Sequence, residues 1–303
     1  MAKYQAIESI EIIDTTGSTK ALFVPEYGGM ISSIQMGDRE LLYLHDTFWE
    51  KEVTDLRGGF PFCFPVVARL KRQERKGVYL YDGKQYELPI HGFSWFEPWS
   101  VENQSRDQLT LILRDNERTQ KMYPFKFEIK LRYEITHNKL ICHQSYVNLS
   151  DKPMPYYAGF HPYFQVAKPG AGKSEVTVNY HPTRRFVYNT DYTDIVGEKP
   201  LFALPAKITD PDVNEQLTRV GQNKEATLHY QSGDVLHMVA EGVEDPDLFP
   251  YIQLYTMPEK PFFCIEPWMS YPNAMNSVQG VRWLASGQSE HGLFKLWLET
   301  ARV

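Results

Sequence analysis

Two histidines and one glutamate stand where the ordinary alternation of side chains is interrupted: His91 in Leu88-Pro89-Ile90-His91-Gly92-Phe93, His161 in Gly159-Phe160-His161-Pro162, and Glu266 in Phe262-Phe263-Cys264-Ile265-Glu266-Pro267-Trp268. Histidine and glutamate move protons near neutral pH, and a positioned acid or base typically contributes about 10²–10⁴-fold to a rate. A carboxylate within an apolar run is costly to desolvate, so enclosure by Phe262, Phe263 and Trp268 predicts a raised pKa for Glu266. Proline after His161 and after Glu266 biases each to extended backbone and predicts that each sits where a strand leaves its sheet.

Plainer readings compete with these. A lone histidine in an apolar loop is more often a hydrogen-bonded structural residue, and His45, His137, His143, His181, His229, His237 and His291 are read that way or as surface groups. Two histidines and a glutamate also match a 2-His-1-carboxylate metal set. No H-x-H or H-E-x-x-H spacing supports it, and no metal is assigned. The basic stretch from Arg69 to Lys76 suggests an anion site, but a solvated hairpin before a strand at 78–81 accounts for most of it. Trp95, Trp99 and Trp268 could be platforms for a sugar; spacing alone makes them core.

The elements that must carry these residues are strands. From Phe125 to Ile135 every odd position is apolar and every even position between is charged, which suits a strand with one buried face and no helix. Shorter strand patterns occupy 9–13, 21–24, 109–113, 175–180, 235–240, 251–255 and 293–299, separated by turn signals such as Tyr27-Gly28-Gly29, Asp82-Gly83, Ser232-Gly233 and Ser286-Gly287. The best helix candidate, 213–220, is short. Strands joined by short polar turns imply antiparallel pairing in a sandwich or barrel. The proline-rich segments 200–211 and 245–250 are flanked by strand patterns and read as excursions, so residues 1–303 are expected to form one all-β domain.

Composition excludes several classes. With 303 residues, 42% of them hydrophobic, the chain can bury a large core, which removes disorder and disulfide scaffolds. A net charge of −6 argues against a nucleic-acid partner. Cys63, Cys142 and Cys264 are too few and too scattered for a framework and read as free thiols in a reducing compartment. No apolar run approaches a membrane span, so a cytoplasmic protein without a membrane partner is expected. Aromatic residues, 14% of the chain, suit sheets and also a cleft that handles sugars.

Four motifs in order then resemble the aldose 1-epimerase (galactose mutarotase-like) family. Gly58-Gly59-Phe60-Pro61-Phe62-Cys63-Phe64-Pro65, Ala68-Arg69-Leu70 and the run from Tyr81 to His91-Gly92-Phe93 look like the N-terminal signature of the bacterial branch related to hexose-6-phosphate epimerases. Val147-Asn148-Leu149-Ser150 followed by Gly159-Phe160-His161-Pro162 is similar to the second histidine motif. Gln253-Leu254-Tyr255-Thr256, Ile265-Glu266-Pro267-Trp268 and Tyr271-Pro272-Asn273-Ala274 resemble the segment carrying the catalytic glutamate.

The resemblance implies an antiparallel β-supersandwich with a sugar-binding cleft and interconversion of the α and β anomers of an aldohexose, without a cofactor. Glu266 would be the base for the C1 hydroxyl and His161 the acid for the ring oxygen. His91, Arg69, Arg57, Trp95, Gln253 and Trp268 would bind the sugar. Two departures stand out. Many bacterial relatives continue the histidine-glycine-phenylalanine run with Ala-Arg, where this chain has Ser94-Trp95; that arginine helps hold phosphate, so its loss favours an unphosphorylated sugar. Arg57 before Gly58-Gly59 keeps a hexose-6-phosphate 1-epimerase open as an alternative, as is a non-catalytic carbohydrate-binding protein on the same fold. The family's cleft aspartate has no clear counterpart, with Asp191 or Asp194 as candidates.

Overall fold

The computed structural model describes residues 8–48, 58–167 and 173–301. Every pairing between its strands is antiparallel. The larger sheet has nine strands, running Ser100–Gln104, Gln108–Arg114, Phe127–Thr136, Lys139–Asn148, Ser289–Glu299, Val235–Gly242, Glu225–His229, Thr177–Asn179 and Ala206–Lys207. A second sheet orders Ile195–Glu198, Pro182–Tyr188, Gln216–Val220, Tyr251–Tyr255, Phe262–Trp268, Gly159–Phe160 and Phe62–Cys63, with Tyr163–Gln165 also paired to Phe262–Trp268. Four strands over Ile10–Ile13, Thr19–Val24, Met30–Met36 and Arg39–Glu40 form a third.

Alternation explains how these layers meet. Phe127–Thr136 and Lys139–Asn148 each bury every second residue, so one face of the nine-stranded sheet is apolar and the other charged. On the apolar face Phe294 packs against Phe60 and Phe160 at 5.0 and 5.1 Å, and Phe64 against Phe127 at 5.0 Å. These rings join the two large sheets face to face. Phe23 on Tyr133, at 4.8 Å, does the same for the four-stranded sheet.

Helix is scarce: Glu117–Met122, capped at both backbone and side chain by Asn116 and Thr119, and the single turn Ala274–Ser277. The short helix candidate over 213–220 does not form a helix. Pro211–Val213 makes one 3-10 turn, Glu215 takes a left-handed φ of 50°, and Gln216–Val220 is an interior strand between Pro182–Tyr188 and Tyr251–Tyr255. The segment is too short to bury a helical face, and leucine, threonine and valine fit a sheet with neighbours on both sides. No helix among the described residues is long and apolar enough to cross a membrane.

Two loops enter the second sheet from its end. Ala68 and His91, both left-handed at φ 56° and 62°, clasp each other: His91 N–H donates to Ala68 O at 2.9 Å, and Ala68 N–H donates to His91 Nδ1 at 3.1 Å. Gly92 completes the turn at φ 77°, so close to the neighbouring loop that a Cβ there would lie 2.1 Å from Phe64 O. Gly92→Ala is therefore expected to destabilise the protein by roughly 2 kcal/mol or more, read as a lowered urea midpoint. An unchanged midpoint would show that the clasp does not need this backbone.

Candidate functional site

Strand register brings the chemistry together. Gly159 pairs with Trp268 and Tyr163 with Cys264, and continuing that register across the break at His161 and Pro162 sets His161 opposite Glu266. On its other side Glu266 pairs with Gln253. Because successive side chains alternate, Phe160, Leu254 and Ile265 go to the core while His161, Gln253 and Glu266 share the opposite face.

Glu266 lies within the strand Phe262–Trp268, not at its end as Pro267 suggested. Met269 N–H donates to Ala158 O, and amides two residues apart point the same way, so the donor that Pro267 lacks would face Phe160, the last paired residue before the interruption at His161 and Pro162. The sheet tolerates the proline at a place where the ladder breaks at the very next residue of the partner strand.

The result is an open cavity of about 250 Å³ whose lining includes Arg69, His91, Trp95, His161, Glu215, Gln253, Glu266 and Trp268. Of the residues expected at a site, all but one line this space. Arg57 is the exception, and it falls outside the described residues. None of the seven histidines set aside from the sequence lines the cavity. Asp191 and Asp194 lie elsewhere: Asp191 pairs with Lys71 at 2.6 Å, and Asp194 accepts from Asn273 Nδ2 at 2.9 Å. The second carboxylate of the cleft is Glu215, hidden from sequence reading because its segment, 213–220, offers only a short helix candidate and no strand pattern. The available signal was a carboxylate directly before Gln216-Leu217-Thr218-Arg219-Val220, which alternates two β-branched residues with others. Tyr163 and Tyr255 also line the cavity; Tyr163 carried no signal beyond its aromatic type, and Tyr255 only its place in Gln253-Leu254-Tyr255-Thr256.

His161 Nε2 and Glu266 Oε2 are 3.3 Å apart, both residues buried, at 5% and 1% exposure. Among the described residues Oε2 has no aligned hydrogen bond, so the imidazole facing it is its nearest polar partner. Burial drives the Glu266 carboxyl well above the usual carboxylate range, and Glu215 adds to the rise; the Trp268 indole and Arg69 oppose it. Burial also pushes His161 down to about 3. His91 is pushed well down by burial, then by His161 and Arg69. Glu215 is raised by burial against the pull of Arg69.

The aromatic groups hold the imidazoles. Tyr163 stacks on His161 at 4.6 Å and 6°, and Trp95 stacks on His91 at 5.2 Å and 21° while meeting His161 edge-on. Trp99, with 2% of its surface exposed, is core. Cys63 and Cys264 are free and buried, with thiol pKa values raised by desolvation and then by Glu266, so neither supplies a thiolate nucleophile.

One ligand atom from each of His91, His161 and Glu266 falls within 4.8 Å of the others, a spacing that a metal ion could use. The hydrogen bonding of His91 does not fit one. Its Nδ1 accepts the Ala68 amide proton and so must be bare, which places the proton of the neutral ring on Nε2. A nitrogen carrying a proton is a donor, not a ligand.

The family model described as aldose 1-epimerase matches residues 11–277. The chain belongs to the aldose 1-epimerase family. The fold is that of the galactose mutarotase-like structures: a galactose mutarotase related enzyme from Lactobacillus acidophilus aligns with a TM-score of 0.78 at 23% identity, covering 98% of this chain and 100% of that one. The Slr1438 protein from Synechocystis sp. PCC 6803 aligns with a TM-score of 0.83, also at 23% identity, over 97% and 96% of the two chains. Among curated proteins, a "Putative glucose-6-phosphate 1-epimerase" of Salmonella typhimurium is 28% identical over 120 residues, which is 38% of this chain. That match spans about a third of the relative's length, 36%.

The geometry ties the two carboxylates of this epimerase-family cleft together electrostatically. Glu215→Gln is expected to lower the pKa of the Glu266 carboxyl, because it removes a negative neighbour. Carboxyl ¹³C titration of wild type and variant reads this directly, and an unmoved or raised Glu266 would mean that desolvation acts alone.

Proposed function

We propose that the protein is an aldose 1-epimerase acting on an unphosphorylated aldohexose, with Glu266 and His161 as its proton-transfer pair. The observation that carries this reading is their 3.3 Å approach inside a sugar-sized, partly aromatic cavity.

Ring opening needs one proton in the pair. With a pyranose bound, Glu266 takes the proton of the C1 hydroxyl, the pair of the former O1–H bond forms the second C1–O1 bond of the carbonyl, and the C1–O5 bond breaks with its pair going to O5 as His161 protonates O5. The pair then stands as a neutral carboxylic acid beside a neutral imidazole. Burial favours that state for both groups. After rotation about C1–C2, His161 takes the proton back from the C5 hydroxyl as O5 attacks the other face of the aldehyde, and Glu266 returns its proton to O1. The protein ends as it began, and the steps described require no cofactor.

The remaining groups suit a polyol. His91 offers an Nε2–H donor, because its Nδ1 is committed to Ala68. Gln253 is held by Tyr188, whose hydroxyl donates to Oε1 at 2.8 Å, and Arg69 faces the hydroxyl-rich substrate between two carboxylates. Trp268 and Trp95 present ring surface to C–H patches. Gly159 makes room for Trp268, since a Cβ there would come within 2.7 Å of its Cδ1.

Charge favours an unphosphorylated substrate. Among the described lining residues the one permanent cation, Arg69, is opposed by Glu215 and Glu266. Where the resemblance implies a phosphate-holding Ala-Arg after the histidine-glycine-phenylalanine run, this chain has Ser94-Trp95, and Trp95 stacks on His91. For glucose or galactose, kcat/KM should be indifferent to ionic strength. A substrate bound through its phosphate would show affinity falling as salt rises, and a clear preference for a 6-phosphate would replace this reading with the phosphosugar one.

Catalysis is tested by the optical-rotation relaxation of fresh α-glucose or α-galactose. Wild type should accelerate it and Glu266→Gln should remove about 10²–10⁴-fold of that effect; saturable sugar binding with no acceleration would mark a binding protein instead. The pH profile carries its own sign. The doubly protonated pair requires a cationic His161, which burial disfavours, so the acid limb should fall near 3. The empty pair requires an ionised Glu266, also disfavoured, so the alkaline limb should lie well above the ordinary glutamate value of 4.5. An acid limb at the usual histidine pKa of 6.5 would contradict the shared-proton pair.

A further inference from the structure

Arg69 reaches the cavity from a stretch of chain that neither large sheet holds. Beside it only Lys71–Arg72 is strand, paired with Arg75–Lys76 in a two-stranded hairpin. Two local devices fix the stretch, and each uses a non-glycine residue in the left-handed region. One is the clasp of Ala68 and His91. The other is Asn273, at φ 62°.

Asn273 does not do what its position in the chain suggests. It precedes the single turn Ala274–Ser277, where an asparagine side chain ordinarily accepts from an amide of the first turn. It makes no such bond. The side chain turns to the Arg69 segment: Oδ1 accepts from the Lys71 amide at 3.0 Å, while the Asn273 amide donates to Arg69 O at 3.0 Å. The backbone is thereby gripped on both sides of Leu70.

That grip is itself anchored. Asn273 Nδ2 donates to Asp194 Oδ1 at 2.9 Å, and Asp194 Oδ2 is held by Thr193 Oγ1 and Asn189 Nδ2. Lys71 Nζ pairs with Asp191 of the same loop at 2.6 Å. Asn276 Nδ2 donates to Asn273 Oδ1 at 2.8 Å and to Lys71 O at 3.2 Å. The residue type follows from these bonds. Glycine would accept the left-handed backbone but has no amide side chain, and aspartate would set a second carboxylate against Asp194; asparagine brings both an acceptor and a donor.

We propose that Asn273 is the positioning residue of Arg69: it grips the backbone on both sides of Leu70 and ties it to the 189–194 loop, which keeps the guanidinium at the cavity. What Arg69 does there for a sugar rests on the epimerase reading; where Arg69 stands does not.

A double-variant cycle tests this. Asn273→Gly keeps the left-handed backbone, and both it and Asn276→Ala remove a neutral amide, so a shift in the Glu266 titration arises from charges that move. Besides Arg69, the titratable groups facing Glu266 are His91, His161, Glu215, Tyr188, Cys63 and Cys264. In carboxyl ¹³C titrations Arg69→Gln should raise Glu266, because it removes the cation that lowers it, and Asn273→Gly should raise it by a smaller amount. In the Arg69→Gln background Asn273→Gly should move it no further. An unmoved Glu266 in Asn273→Gly alone, or the same shift in both backgrounds, would overturn the positioning role. If Asn273→Gly does not fold, Asn276→Ala decides the same cycle by the same outcomes.

Turnover gives a second reading. Asn273→Gly should raise KM for glucose or galactose roughly 3–10-fold, the worth of about one hydrogen bond, with kcat nearly unchanged, and should add nothing once Arg69 is glutamine. A loss of kcat that persists in the Arg69→Gln background would mark a merely structural residue. Wild type that shows the titration coupling but interconverts no anomer would sink the epimerase reading and leave the positioning of Arg69 standing.

Discussion

A carboxyl group with 1% of its surface exposed, 3.3 Å from an imidazole nearly as enclosed, is the constraint on which the site is built. Isolated charge in such a place costs several kcal/mol, and the usual remedies are an ion pair or a proton. Here burial moves the two pKa values apart, glutamate up and histidine down, so the proton favours the carboxyl, and Glu266 acts as base and His161 as acid only once that proton has crossed the pair. Glu215 nearby strengthens that preference by repulsion, and Arg69 limits it. A pair that holds one proton and can place it at either end is what reversible ring opening requires of a protein.

The fold supplies this pair with little adjustment. Two neighbouring strands place His161 and Glu266 opposite each other, and a third adds Gln253, so three of the polar groups come from sheet register alone. The ring stack behind His161 and the aromatic core under Phe160 keep the strand from sliding, because a one-residue slip would exchange Phe160 with His161 across the sheet. His91 arrives differently, on a loop fixed by its reciprocal bonds to Ala68 and by a glycine that nothing larger could replace. That loop also sets the tautomer, which makes His91 a donor and removes it from metal chemistry.

Much of this was legible before any coordinates. The strict alternation around Phe127–Thr136 identified a half-buried strand because period-two burial has no helical equivalent. His91, His161 and Glu266 stood out because each interrupts that regularity with a titratable group. The segment containing Glu215 was misread because a short run with mixed polarity has no decisive period, and only its neighbours in the sheet settle it. Asp191 and Asp194 drew attention as carboxylates in a polar loop, yet their partners, Lys71 and Asn273, are distant in sequence and could not be anticipated from spacing. Pro267 misled for a related reason: whether its missing donor ends a strand depends on the state of the ladder beside it.

The account's central claim is that the shared proton opens the pyranose ring, which breaks C1–O5 and leaves O1 on carbon. Its most direct test is ¹³C NMR of α-glucose labelled with ¹⁸O at O1, followed through enzyme-catalysed approach to anomeric equilibrium. The account predicts β-glucose that keeps the ¹⁸O-shifted C1 resonance, formed far faster than label is lost to water. Loss of the label in step with anomer exchange would mean that C1–O1 is the bond that breaks, and the roles given to Glu266 and His161 would be wrong.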